Sequence, residues 1–259
     1  MPTVAVNEHR LFYARSGNGR SLLFVHGNPG THRLWQHQLD YFQERYDVVA
    51  VDMRGYGQSD KPVNADYHPS ALACDIAGLI EVLALDRPVL IGLSMGSMVG
   101  LSLAIEFPGR IAGLVLAGAT SDRRDRDPAR ELVRLAALGF EPYLRELVNS
   151  WYILGADPGL IEWTLAEVLT TELHVREATI RALASFNVTD RLHEIAVPAL
   201  IMAGEKDITA PYDRARTIVD RIPDSELVII PDTAHMFIAE APDHVNSVID
   251  AFLQKILYR

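Results

Sequence analysis

The sequence predicts an α/β fold, a doubly wound and mostly parallel sheet with a helical lid inserted between two strands. Two observations carry this prediction: short apolar runs alternate with helical patterns along the chain, and the alternation stops over residues 121–197. At 259 residues, of which 49% are hydrophobic, the chain can bury one large core. We therefore predict an α/β core formed by residues 1–120 and 198–259, and a helical cap over 121–197.

The predicted strands are short apolar segments bounded by turn residues. They lie at residues 4–14 (a hairpin), 21–25, 46–52, 88–91, 111–116, 199–203 and 227–230. Most are continuous apolar runs, which are typical of parallel strands buried on both faces.

Helical patterns separate these strands. Apolar residues recur at helical spacing after Pro69, at positions 72, 76, 79, 80 and 83, and again from Val245 to Leu257. Residues 121–197 are rich in Leu, Ala, Arg and Glu, so we expect several helices there, forming a lid. The single cysteine, Cys74, falls in the first helical pattern, and we predict a core thiol without a disulfide partner.

The charge balance bears on partners. Lys and Arg number 24 and Asp and Glu number 34, giving a net charge of −10. This balance disfavours nucleic acid and anionic membranes and favours a small uncharged or weakly anionic ligand. Residues 1–8 do not resemble an export signal, and no stretch approaches the length of a membrane span. We expect a cytoplasmic protein, and a homo-oligomer is compatible with the sequence.

A Gly-x-Ser-x-Gly pattern follows one predicted strand, as Gly92-Leu93-Ser94-Met95-Gly96. It predicts a nucleophile elbow. The turn from strand to helix is so tight that the serine must adopt a strained backbone, and only small residues fit two places before and after it. The hydroxyl then stands at the sheet edge beside the first free amides of the next helix. Ser94 is the candidate nucleophile.

A serine hydroxyl needs a base before it can attack a carbonyl. Asp207 and His235 each follow one of the two late predicted strands. Since the carboxyl ends of parallel strands share an edge, both can converge on Ser94, and the order Ser, acid, His is that of an α/β-hydrolase triad. Asp122, just beyond another strand, is the rival acid. We favour Asp207 because Asp122 opens an Arg-rich segment.

The oxyanion formed by this attack needs two backbone donors. The residue after the nucleophile, Met95, provides one amide. The loop His26-Gly27-Asn28, after the strand at 21–25, provides the other, and we predict the Asn28 amide. We expect His26 to be structural, because His235 fills the role of base better.

Three motifs together resemble those of the α/β-hydrolase family, over nearly the whole chain. They are HGNPG at 26–30, similar to the oxyanion loop, DMRGYGQS at 52–59, similar to the family's DxRGxGxS turn, and GLSMG at 92–96, the elbow. Within the family, GLSMG followed by MVG at 98–100 is most similar to bacterial 3-oxoadipate enol-lactonases, although Ser97 stands where these usually have glycine. The resemblance implies cleavage of a small ester or lactone through an acyl-enzyme on Ser94.

Other chemistries find less support. Gly55 and Gly57 begin a dinucleotide fingerprint, but Asp60 occupies the third glycine position. The sequence has no HExxH, paired CxxC or phosphate-loop motif, so we expect neither a metal nor a cofactor. Dehalogenases and epoxide hydrolases of the family use a carboxylate where this chain has Ser94.

Two alternatives stay open. One is hydrolysis of a C–C or amide bond, although the family's C–C hydrolases commonly have Trp after the catalytic histidine, where this chain has Met236. The other is a small-molecule receptor that retains a triad, since one sequence does not separate a receptor from an enzyme.

Candidate substrate contacts lie in the cap and beside the base. They are Trp151, Tyr152, Met236, Arg123 and Arg124. Guanidinium groups are well shaped to hold a carboxylate. The alternative for the arginines is a solvated face paired with neighbouring acids, which is what interleaved charges of both signs usually form.

Overall fold

The computed structural model describes residues 2–257. Its strands are β1 (Thr3–Val6), β2 (His9–Ser16), β3 (Ser21–Val25), β4 (Asp47–Asp52), β5 (Val89–Leu93), β6 (Gly113–Ala117), β7 (Ala199–Gly204) and β8 (Ser225–Ile230). They form one sheet in the order β1-β2-β4-β3-β5-β6-β7-β8. β2 runs antiparallel to β1 and β4, and the other neighbours pair in parallel. The predicted strands are confirmed, with ends shifted by a few residues.

Helices connect the strands. They are α1 (Gln36–Phe42), α2 (Pro69–Val82), α3 (Met95–Glu106), α4 (Pro128–Leu138), α5 (Phe140–Asn149), α6 (Pro158–Val168), α7 (Leu173–Leu183), α8 (Tyr212–Val219), α9 (Phe237–Glu240) and α10 (Pro242–Leu257). Proline opens α2, α4 and α6, because the first turn of a helix needs no N–H from that residue. Asp127 and Asp157 cap α4 and α6 by accepting backbone amides.

The core lies on both faces of the sheet. Along β3, Leu23 and Val25 belong to one apolar cluster, and Leu22 and Phe24 to the other. This alternation follows from the two-residue period of a strand. α2, α3 and α8 cover the first face, while α1 and α10 cover the second. The doubly wound, mostly parallel fold is confirmed.

Between β6 and β7 the chain forms α4 to α7 and a short 3-10 helix, Thr189–Glu194. Within the described chain, the β pairing of this segment between β6 and β7 is an isolated bridge between Asp122 and Asn187. Tyr143, Leu144 and other apolar residues of these helices join the second core cluster. The expected helices are therefore present, whereas the division into core and cap, and the role of a lid, stay predictions.

The prediction of a buried Cys74 is wrong, because its side chain is exposed. The apolar stripe of α2, including Leu72 and Ile76, faces the core. Position 74 lies two helical turns before exposed Glu81 and on the same side of α2, as a helix with 3.6 residues per turn requires. Across residues 2–257, no helix is both long and apolar enough to cross a membrane.

Candidate active site

Ser94 lies between β5 and α3 with φ 53° and ψ −109°. This is a left-handed conformation that side chains rarely adopt, so the surrounding chain must hold it in place. A Cβ added at Gly92 would lie 2.4 Å from the Gly96 carbonyl oxygen, and one at Gly96 would lie 2.2 Å from that of Val25. Both glycines are therefore required by contact with backbone, as the elbow pattern predicts.

The elbow is tied to the neighbouring strand. The Ser94 amide donates to the Ala117 carbonyl at 2.8 Å. The Ser97 hydroxyl lies 2.7 Å from the Gly92 carbonyl oxygen and 3.0 Å from that of Ala117. These contacts give a reason for serine at position 97: its hydroxyl joins α3 to the ends of β5 and β6, which a glycine cannot do.

Asp207 and His235 meet just beyond β7 and β8. His235 Nδ1 lies 2.7 Å from Asp207 Oδ2, and both side chains are almost fully buried. The other carboxylate oxygen, Oδ1, accepts the amides of Thr209 and Ala210 at 2.8 and 2.9 Å. Because a carboxylate can only accept, Nδ1 carries the proton in this contact and Nε2 of the neutral ring is left as a base.

Gly118 provides the space that the side chains of His235 and Asp207 occupy, and the sequence did not indicate this role. It follows β6 with φ +57°, and a Cβ there would lie 2.8 Å from His235 Cε1 and 3.7 Å from Asp207 Oδ2. A lone glycine after a strand carries no motif, so its proximity to His235 could be found only in three dimensions.

Glu240, at the end of α9, is a second residue near His235 that the sequence did not indicate. Its Oε2 accepts the Ala234 amide at 2.7 Å, and its Oε1 accepts the Ile153 amide at 2.8 Å. The Met236 amide donates to the Trp151 carbonyl at 3.0 Å. These bonds fasten the loop that carries His235 to the helical segment between β6 and β7.

His26 occupies a buried structural position. Its Nε2 accepts the Met53 amide at 3.0 Å, so Nδ1 carries the proton and donates to the Gly27 carbonyl at 2.8 Å. Burial lowers the pKa of His26 to about 4. The ring is therefore neutral at physiological pH and joins the loop after β3 to the end of β4.

Asn28 follows in the same loop. Its Oδ1 accepts the Tyr56 hydroxyl at 2.8 Å, and that hydroxyl is also 2.8 Å from Thr179 Oγ1 on α7. Within residues 2–257, the backbone amides of Asn28 and Met95 have no hydrogen-bond acceptor. Met95 is the first residue of α3, where an amide has no partner within the helix.

A cavity of about 610 Å³ lies over this edge of the sheet. Of the residues singled out from the sequence, six line it: Ser94, His235, Asn28, Met95, Trp151 and Arg123. Asp207 does not line the cavity itself, but it contacts His235, which does. Further lining residues include the apolar side chains of Met98, Leu147, Ile180, Leu183 and Ile208. They come from several distant elements and give no local sequence signal.

Three expected substrate contacts lie elsewhere. Tyr152 is buried in the second core cluster, and its hydroxyl is 2.6 Å from Thr164 Oγ1. Met236 is also in that cluster, because the residue after His235 turns back into the core. Arg124 is exposed, and its Nη2 lies 2.7 Å from Asp122 Oδ2. None of the three lines the cavity among the described residues.

Asp122, the rival acid, is engaged by this same arginine. Its carboxylate accepts from the Arg124 amide and guanidinium, which lower its pKa, and 38% of its side chain is exposed. Among residues 2–257, Asp207 is the carboxylate that His235 contacts.

Comparison with known proteins gives the family. The family model described as α/β hydrolase fold matches residues 20–150. The chain belongs to the α/β-hydrolase fold family. A second model, described as TAP-like protein, matches residues 181–256.

The chain is also similar, over almost its whole length, to proteins named as hydrolases. It is 29% identical to the AB hydrolase superfamily protein YisY of Bacillus subtilis (strain 168), over 96% of this chain and 97% of the relative. It is 27% identical to 3-oxoadipate enol-lactonase 2 of Acinetobacter baylyi, over 98% and 96%. A solved thermophilic esterase from Thermogutta terrifontis superposes with a TM-score of 0.91 at 26% identity, with 99% of both chains covered.

Proposed function

We propose that this α/β hydrolase cleaves a carboxylic ester or lactone of a small molecule, with Ser94 as nucleophile, His235 as base and Asp207 as the orienting acid. One observation carries the proposal: the cavity that exposes Ser94 on its strained elbow is also lined by His235, whose Nδ1 lies 2.7 Å from Asp207 Oδ2. The esterase and enol-lactonase names of its relatives support this class of substrate.

The reaction runs in two steps. Ser94 Oγ attacks the substrate carbonyl carbon while His235 Nε2 takes the hydroxyl proton. The tetrahedral intermediate collapses, the carbon–oxygen bond to the alcohol breaks, and His235 returns its proton to the departing oxygen. In a lactone that alcohol stays attached to the acyl group. Water, activated by the same histidine, then hydrolyses the acyl-enzyme and releases the acid.

Each protein group has a distinct task in these steps. Asp207 holds His235 in the tautomer whose Nε2 is free, and it stabilises the imidazolium that forms. The unengaged amides of Met95 and Asn28 are the proposed donors to the oxyanion, and one such donor typically contributes about 3 kcal/mol to the transition state. Tyr56 supports the second donor, since its hydroxyl fixes the Asn28 side chain.

Removal of the Ser94 hydroxyl tests the proposal. Ser94→Ala should lower kcat about 10⁶-fold, the cost of losing a triad nucleophile, because the hydroxyl forms the covalent bond. The control is Ser102→Ala on the same helix, which removes a buried hydroxyl that lacks a hydrogen-bond partner in the described chain. We expect it to keep wild-type kcat, and both variants to keep their far-UV circular dichroism.

The assay measures release of acid from matched esters, lactones and amides of one acyl group. Ester or lactone turnover that is lost with Ser94 supports the proposed chemistry. Near-normal hydrolysis by Ser94→Ala would remove Ser94 from the mechanism, and a preference for the amide would change the substrate class.

A further inference from the structure

The cavity is locally rich in positive charge although the chain carries a net charge of −10. Its charged lining residues are Arg123, Arg126, Arg130, Arg134 and Arg176, against Asp125, Asp127 and Glu131. An acidic protein that gathers arginines around one concave site concentrates a positive field there.

The three acids of the lining already have partners. Asp125 Oδ2 lies 2.6 Å from Arg214 Nη2, outside the lining. Asp127 accepts two amides as the cap of α4. Glu131 accepts the Tyr143 hydroxyl. The arginines of the cavity are therefore not neutralised one for one by these acids.

Arg123 is a half-buried arginine of the cavity that has no acidic partner among the described residues. Its Nε is buried and has no hydrogen-bond partner, and within residues 2–257 its guanidinium makes no ion pair. Burial and the like charge of Arg126 lower its pKa to about 10, so it stays protonated at neutral pH. Arg123 as a whole is half-buried, and a partly desolvated charge without a partner is unfavourable unless something in its surroundings compensates for it.

The other arginines are in a different situation. Arg126 and Arg130 are exposed, so water solvates them. Arg134 lies 2.6 Å from Glu146. Arg176 is buried with an unpartnered Nε, but its Nη2 donates to the Tyr143 hydroxyl at 2.6 Å and lies 3.8 Å from Glu131.

We propose that Arg123 binds a free carboxylate of the substrate, so that the enzyme acts on anionic esters or lactones. The inference rests on the proposed function of Ser94, since both residues line the same cavity. A guanidinium presents parallel N–H donors that match the two oxygens of a carboxylate. The substrate anion then pairs with the half-buried guanidinium of Arg123 while the ester carbonyl lies at Ser94.

The sequence provides a matched control at the next position. Arg124 is also an arginine of this loop, but it is exposed, paired with Asp122 at 2.7 Å and absent from the cavity lining. A general effect of positive charge on substrate attraction would involve both arginines, whereas direct binding involves Arg123 alone.

Two substrates with the same leaving group separate the possibilities: 4-nitrophenyl hydrogen pimelate, with a free carboxylate, and 4-nitrophenyl methyl pimelate, in which it is capped. Variants Arg123→Met, which keeps the side-chain volume, Arg123→Lys and Arg124→Met are compared with wild type. Arg123→Met should lower kcat/KM for the anionic ester between about 10-fold and about 100-fold, mainly through KM, and leave the neutral ester nearly unchanged. Arg123→Lys should recover part of this loss, and Arg124→Met should match wild type.

A readout without turnover accompanies the kinetics. Pimelate should raise the melting temperature of Ser94→Ala and not that of the double variant Ser94→Ala/Arg123→Met. The inference is overturned if wild type does not prefer the anionic ester, if Arg123→Met affects both esters equally, or if Arg124→Met has the same effect. Any of these results leaves Ser94 hydrolysis intact, whereas hydrolysis that survives Ser94→Ala overturns the proposed function instead.

Discussion

Asp207→Asn is the substitution for which the geometry predicts the largest effect without loss of volume. The asparagine oxygen can still accept the amides of Thr209 and Ala210, which now lie 2.8 and 2.9 Å from Oδ1. Its NH₂ group then faces His235 Nδ1 at the position of Oδ2. Because two donors cannot pair, the imidazole must move its proton to Nε2, and Nε2 no longer accepts the proton of Ser94.

The expected loss follows from this change of tautomer. A triad histidine held in the wrong tautomer loses about 10⁴-fold in kcat, which corresponds to about 5 kcal/mol of transition-state stabilisation. Folding should change little, since the two backbone bonds and the packing are kept.

The assay is steady-state ester hydrolysis with Asp122→Asn as control. That control removes only an exposed contact with Arg124, worth about 1 kcal/mol or less, and should keep kcat within about twofold. If Asp207→Asn retained more than roughly a tenth of kcat, or if Asp122→Asn cost more, Asp207 would not be the orienting acid.

Three further predictions concern His26, Gly118 and metal dependence. Because burial lowers the pKa of His26 from 6.5 to about 4, the unfolded chain binds a proton that the folded chain does not, so the unfolding free energy falls as the pH drops from 6.5 towards 4. The expected loss of unfolding free energy is on the order of 3 kcal/mol. If urea titrations gave His26→Asn the same pH dependence of unfolding free energy as wild type, this prediction would be contradicted. Gly118→Ala should lower kcat at least about 10-fold, since φ +57° is strained for alanine and its Cβ would displace His235; unchanged kcat in the folded variant would refute this contact. EDTA should leave ester hydrolysis unchanged, and a loss that Zn²⁺ or Mg²⁺ restores would contradict the proposed metal-free chemistry.

Features that depend on local sequence could be predicted. The strands follow from apolar runs between turn residues, and the elbow follows from two glycines whose Cβ positions would collide with backbone. The order of the strands puts Ser94, Asp207 and His235 at one edge of the sheet by topology alone. Topology does not separate Asp207 from Asp122, which also follows a strand at this edge. The sequence favours Asp207 because Asp122 opens an Arg-rich segment, and in the structure Asp122 is paired with Arg124 whereas Asp207 contacts His235.

Features that depend on distant contacts could not be predicted. Arg123 and Arg124 are adjacent residues of the same type, yet Arg123 lines the cavity whereas Arg124 is exposed and paired with Asp122. Tyr152 and Met236 are equally suited to a pocket or a core, and their neighbours place them in the core. Gly118 contacts His235 from a distant part of the chain, and Glu240 ties the His235 loop to the distant residue Ile153, so no local pattern indicates either role.

Covalent labelling of the nucleophile is the most direct test of the central claim. A fluorophosphonate reacts with an activated serine hydroxyl, displaces fluoride and leaves a stable phosphonyl ester that mass spectrometry can locate. We expect one adduct per chain, on the peptide that contains Ser94, with loss of hydrolysis in proportion to labelling and no adduct on Ser94→Ala. Labelling of another residue that abolishes activity, or full activity after complete labelling of Ser94, would contradict the account.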